Sequence, residues 1–174
     1  MMNLFLGYVR SPIGLLTLAW DDAALRALDF DGFDARFHAL LESHYGKYRL
    51  NDAHVPAQYR HALEAYFAGE LTAVDDLPVQ TAGTPFQRQV WTALREIPAG
   101  TTMSYGELAR RIGRAGASRA VGRANGANPV GIVVPCHRVI GSDGSLTGYG
   151  GGMDRKRWLL AHEQSHLLKL AVSA

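Results

Sequence analysis

The chain has 174 residues, 47% hydrophobic and 20% charged, with a formal net charge of +2. This is the balance of an ordinary globular chain that folds around a core, as one large domain or two small ones. No stretch approaches the roughly 18 uncharged apolar residues of a membrane span, and the start MMNLFLGYVRSP lacks the pattern of a signal peptide. Both features point to a cytoplasmic protein; the single cysteine excludes an intramolecular disulfide and a paired-thiolate zinc site, and no metal or other cofactor is expected.

The charge is unevenly divided. Residues 1–80 carry 6 Lys and Arg against 11 Asp and Glu, net −5, whereas residues 81–174 carry 12 against 5, net +7. Arg110, Arg111, Arg114, Arg119 and Arg123 crowd one short stretch, a density that suits an anionic partner such as nucleic acid. On charge alone, a solvated helical face is the commoner explanation.

In chain order, Leu4 to Val9, Leu15 to Trp20 and Leu25 to Phe30 read as strands of an antiparallel meander, with a turn at Asp21-Asp22. Asp34 is placed to cap a helix carrying Phe37, Leu40 and Leu41 inward, and a second helix through Tyr59, Leu63, Tyr66 and Phe67 stops at Gly69. Leu71 to Gly83 lacks periodicity and is rich in Thr, Asp, Pro and Gly, which puts the connection between two domains there, 1–80 and 81–174. The second half opens with Thr84-Pro85-Phe86-Gln87, a capping box with proline at the first helical position. Phe86, Val90, Trp91, Leu94 and Ile97 mark one face of that helix. Ser104-Tyr105-Gly106-Glu107 is a second capping box, starting a short helix that Gly113 ends. A third helix, from about Ser118 to Gly126, completes the outline of a helix-turn-helix. Its Ala120, Gly122, Ala124 and Gly126 make it thin enough for a narrow groove, where shape and backbone contacts dominate.

Ile132, Val133 and Val134 read as a buried strand segment delivering Pro135, Cys136 and His137. A lone buried cysteine is more often a small hydrophobe than a nucleophile. A reactive thiol needs a base or positive field, and His137 and Arg138 are both candidates. Neighbouring side chains diverge, so Cys136 and His137 require a turn or a bridging water to cooperate. The histidine also needs a carboxylate to fix its tautomer. Of the 5 acidic residues after Gln80, Glu163 lies on the apolar helix Arg157-Trp-Leu-Leu-Ala-His-Glu163 and is the preferred partner. Between cysteine and helix, Gly141 to Gly152 forms a glycine-rich loop that matches no phosphate-binding fingerprint and carries Tyr149 as one apolar wall.

PCHRV with NPV upstream, SRAVG, SYGELA and WLLAHE, in this order between Thr84 and Glu163, resemble the motifs of the O6-alkylguanine-DNA alkyltransferases. The resemblance implies an α+β fold. Its first part would be a ribonuclease-H-like domain with a small antiparallel sheet and helices, and its second a mainly helical domain with a helix-turn-helix. It also implies irreversible transfer of an alkyl group from O6 of guanine, or less efficiently O4 of thymine, in double-stranded DNA to the protein's own cysteine. By position, Cys136 would be the nucleophile, His137 the base acting through water and Glu163 the acid that orients it. Asn128 would support the active-site backbone. Tyr105 would crowd a phosphate and protonate the departing base, and Arg119 would fill the stack left by the rotated nucleotide. Arg114 and Ser142 would touch DNA, and Tyr149 would line the base pocket. The resemblance implies a protein that acts as a monomer, away from membranes. The alternatives from other classes are a helix-turn-helix regulator with a non-catalytic cysteine and a cysteine hydrolase.

Overall fold

The computed structural model describes residues 1–173, arranged as two compact units. The first unit comprises Met1–Gly83 together with Pro129–Val133; the second comprises Thr84–Asn128 and the chain from Val134 onward.

In the first unit, β1 (Met2–Ser11), β2 (Gly14–Trp20) and β3 (Leu25–Phe30) form the antiparallel meander. A fourth strand, β4 (Tyr48–Asp52), runs parallel to β1 and completes a sheet of order β3-β2-β1-β4. The sheet is therefore mixed. β4 escapes sequence reading because YRLND is polar and only partly buried, so it joins through backbone pairing on an edge, without an apolar face to announce it. Helices α1 (Asp34–Tyr45) and α2 (Ala57–Ala68) belong to the same unit, and Leu4, Ala19, Ala27, Phe37 and Leu41 pack into one core cluster. Asp34 does not cap α1. Phe33 holds that position without a side-chain bond, and Asp34 is the first helical residue, where its carboxylate still complements the helix dipole. Gly69 ends α2 in the left-handed conformation, at φ 112°.

The expected strand at Ile132–Val134 is absent. Val130 makes one isolated bridge to Leu28, Gly131 N–H donates to the Leu28 carbonyl at 2.9 Å, and the chain then turns with Ile132 at φ 67°. A fully buried apolar run carries no periodicity that separates strand from buried turn, which is why the sequence misleads here.

The second unit holds α3 (Pro85–Arg95), α4 (Tyr105–Arg111), α5 (Ser118–Gly126) and α6 (Met153–Val172), with a short parallel pair of β5 (Met103–Ser104) and β6 (Val139–Ile140). Both capping boxes form as read: Gln87 N–H donates to Thr84 Oγ1 at 3.2 Å and Glu107 N–H to Ser104 Oγ at 3.2 Å, each answered by the return bond to the cap N–H. Gly113 and Gly116 take positive φ, 71° and 84°, and turn the chain from α4 to α5. Val90, Trp91, Leu94, Leu108, Val121 and Ala124 are buried, and the Trp91 indole N–H donates to the Ala124 carbonyl at 2.8 Å, tying α3 to α5.

Candidate active site

Cys136, His137 and Arg138 form a single tight 3₁₀ turn between Pro135 and β6. The turn, rather than extended chain, separates three successive side chains by roughly a third of a revolution each. Its backbone is held from α5 and the segment following it. Asn128 Nδ2 donates to the Val134 carbonyl at 2.8 Å, Asn125 Nδ2 donates to the Cys136 carbonyl at 3.3 Å, and the Cys136 N–H closes on Val134 at 2.8 Å. Cys136 retains 6% exposure, whereas His137 and Glu163 retain none.

Glu163, on α6, is the hub of the site. Its Oε1 accepts from His137 Nε2 at 2.8 Å and from Arg138 Nη2 at 2.9 Å; its Oε2 accepts from Arg138 Nε at 3.0 Å and from the Gly100 N–H at 3.0 Å. Arg138 uses its remaining fork on the Ile97 carbonyl, at 2.6 Å. Burial alone would raise the Glu163 carboxyl, but the bonds and charges of His137 and Arg138 outweigh it and hold the group well below the usual carboxylate range. An ionised carboxylate only accepts, so the His137 Nε2 carries the proton. Burial also pushes the His137 imidazole below its ordinary value despite the opposing pull of Glu163. The ring is thus neutral, with Nδ1 as its lone-pair nitrogen, and Nδ1 is buried without a hydrogen-bond partner among the described residues.

Lys156, fully buried on α6, donates from Nζ to the Val139 carbonyl at 2.7 Å, to Thr147 at 3.0 Å and to Gly148 at 3.4 Å. It straps the glycine-rich loop to the strand that follows the cysteine. Burial lowers its ammonium, and charge on Cys136 acts in the opposite sense. Across the same loop the Tyr105 hydroxyl donates to the Thr147 carbonyl at 3.3 Å, and Gly122 of α5 faces the Tyr105 ring, where an added Cβ would stand 3.7 Å away. The Tyr149 hydroxyl is buried. Arg114 and Arg119 are exposed around the α4–α5 turn, and exposed Ser142 lines an open cleft of about 390 Å³ with Ser104, Glu107 and Arg110. Arg111 is engaged by Glu96 at 3.0 Å.

The structure thus brings His137, Glu163 and Asn128 around the Cys136 turn and sets Tyr105, Tyr149 and Ser142 on or against the loop that follows it, with Arg114 and Arg119 on the helix-turn-helix. Sequence reading missed Asn125, Gly100 and Lys156 and gave Arg138 no more than a nearby charge. Only Arg138 left a signal, a cation set between the Cys136-His137 pair and the apolar Val139-Ile140.

A buried cysteine on a turn, a carboxylate-oriented histidine next to it in sequence and a helix-turn-helix in the same unit set a thiol within a helix-turn-helix scaffold. Comparison with known proteins makes this specific. Residues 85–165 match the 6-O-methylguanine DNA methyltransferase DNA binding domain, and residues 4–81 its ribonuclease-like domain. A methylated-DNA–protein-cysteine methyltransferase of Shigella flexneri is 49% identical over 171 residues, 97% of this chain and 100% of that protein. One from Mycolicibacterium paratuberculosis is 52% identical over 161 residues, 91% of each. Among solved structures, Mycobacterium tuberculosis OGT in complex with DNA superposes with a TM-score of 0.78 at 46% identity, covering 95% of this chain and 94% of that one. The O6-methylguanine-DNA methyltransferase of the archaeon Pyrococcus kodakaraensis gives 0.73 at 29% identity, covering 92% and 98%. The chain belongs to the O6-methylguanine-DNA methyltransferase family. No helix among the described residues is long and apolar enough to cross a membrane.

Proposed function

We propose that the chain repairs double-stranded DNA by moving the alkyl group of O6-alkylguanine, and less efficiently of O4-alkylthymine, onto Cys136, once per molecule. The observation that carries this reading is the neutral His137, oriented by Glu163 at 2.8 Å with Nδ1 left as acceptor, immediately after the one cysteine of a chain whose relatives are methylated-DNA–protein-cysteine methyltransferases.

Through a bridging water, His137 Nδ1 takes the thiol proton, and the sulfur attacks the alkyl carbon. As the carbon–sulfur bond forms, the carbon–oxygen bond breaks and its electron pair stays on the base oxygen. Tyr105 passes a proton to the dealkylated base, restoring unmodified guanine within the DNA, and the Tyr105 phenolate regains a proton through solvent as the His137 imidazolium gives one up. The product thioether has no acyl carbonyl for water to attack, so the sulfur is not regenerated. Asn128 holds the turn backbone in place for the attack. Extruding the nucleotide costs a few kcal/mol; Arg119 fills the vacated stack, Arg114 and Ser142 contact the strand, and Tyr149 lines the pocket that receives the base. DNA binding and transfer are assigned to residues 81–174, and the protein works as a monomer in the cytoplasm.

Incubating the protein with duplex carrying radiolabelled O6-methylguanine tests this. One equivalent of label or less should become protein-bound, and Cys136→Ala should take up none. Repeated turnover would point to a hydrolase, and sequence-selective binding of undamaged DNA indifferent to Cys136→Ala would point to a regulator.

A further inference from the structure

We propose that Arg138 is a positioning residue for the transfer: it clamps Glu163 so that the carboxylate stays turned towards His137 Nε2 and leaves Nδ1 free to receive the thiol proton. This rests on the reading of Cys136 as nucleophile and His137 as base.

The geometry carries the assignment. Arg138 is 2% exposed, so its guanidinium is desolvated at a cost that only close partners offset. All of its bonded nitrogens serve one purpose. Nε and Nη2 grip the two Glu163 oxygens at 3.0 and 2.9 Å, and Nη1 anchors the fork to the Ile97 carbonyl at 2.6 Å, at the end of α3. The Gly100 N–H also donates to the second oxygen, at 3.0 Å. With three sides of the carboxylate occupied by donors, the remaining direction on Oε1 points to His137. The other cation facing His137 is Lys156, on α6, and the α3 end contributes only the Gly100 N–H and Ile97 carbonyl, which do not titrate. A protonated Glu163 would instead donate to Nε2, move the imidazole proton to Nδ1 and abolish the base. The arginine is what forbids that state, and a lysine point charge lacks the planar fork that does it.

The test is the single-turnover rate of methyl transfer from saturating O6-methylguanine duplex, measured from pH 5 to 9 for wild type, Arg138→Met and Arg138→Lys. Rates are normalised to the fraction of molecules that finally accept a methyl group, so misfolded protein drops out. Without the guanidinium the acidic limb of the profile should rise by about one pH unit or more, making Arg138→Met roughly tenfold slower than wild type near pH 6 and closer to it at pH 8.5. Arg138→Lys should fall between the two. The ¹⁵N spectrum of His137 should report the Nε2–H tautomer in wild type and gain the Nδ1–H tautomer in Arg138→Met. A rate lowered equally at every pH, with the limb and the tautomer unmoved, would mean that Arg138 only stabilises the fold and would overturn the assignment. A wild-type protein that accepts no methyl group would remove the nucleophile reading, and the tautomer comparison would still decide the role of Arg138.

Discussion

Glu163→Gln changes one oxygen for an amide nitrogen at a position surrounded by donors. Oε1 faces His137 Nε2 and Arg138 Nη2, and Oε2 faces Arg138 Nε and the Gly100 N–H. Either orientation of the amide sets an NH₂ against two of these donors and leaves the Arg138 cation buried without a counter-charge. Removing one partner of such a pair costs about 3–5 kcal/mol, which for a chain of this size lowers the melting temperature by about 6–20 °C. The mutation also frees His137 to take either tautomer, so transfer per folded molecule should fall at every pH. Urea unfolding followed by tryptophan fluorescence gives the first quantity, and single-turnover methyl transfer the second. A variant within about 1 kcal/mol of wild type, transferring at the wild-type rate, would refute the view that this carboxylate organises the site.

Lys156→Met should lose two firm charge-assisted bonds, to Val139 and Thr147, for about 2–3 kcal/mol less the relief of an ammonium no longer desolvated; hydrogen exchange should show earlier opening at residues 147–150, and unchanged protection there would contradict the strap. Asn128→Ala removes a donor at 2.8 Å from a buried carbonyl that still holds the Cys136 N–H, so about 1–2 kcal/mol of stability and a larger share of the transfer rate should go. Acid should weaken the fold in two stages. The buried His137 is neutral in the folded chain but gains a proton on unfolding below its ordinary value near ~6.5, so the contribution present above that pH is lost as pH falls, by up to about 1.4 kcal/mol per unit. Glu163, depressed in the fold, adds a second loss below about pH 4.3. Urea midpoints that stay level from pH 8 to pH 4 would rule this out, and His137→Gln should flatten the first stage alone.

Local chemistry was legible in the sequence, and tertiary rescue was not. Thr84 and Ser104 announce their helices because a capping box is complete within four residues, and both bonds of each are present. Glu163 could be chosen because so few acids follow Gln80 and this one sits on an apolar helix, where a carboxylate needs a partner; the bond to His137 is there. Lys156, in Asp154-Arg-Lys-Arg157, looks like any solvated basic stretch, and its burial follows from three carbonyls supplied by distant segments. Arg138 was visible as a cation near the cysteine, but its partners on α6 and just past α3 were not. β4 is invisible because its pairing is backbone to backbone, and the Ile132–Val134 run misleads because burial on all sides erases any period. Asp34 has a capping residue's chemistry one position too late.

In the proposed reaction one sulfur, served by His137 and Glu163, takes an alkyl group from DNA and keeps it. Intact-mass and peptide measurements after a single exposure to duplex containing O6-methylguanine test it most directly. Transfer should add about 14 daltons, the mass of one methylene equivalent, confined to the peptide that contains Cys136 and absent with undamaged duplex. A gain on any other residue, or demethylated DNA with the protein's mass unchanged, would contradict it.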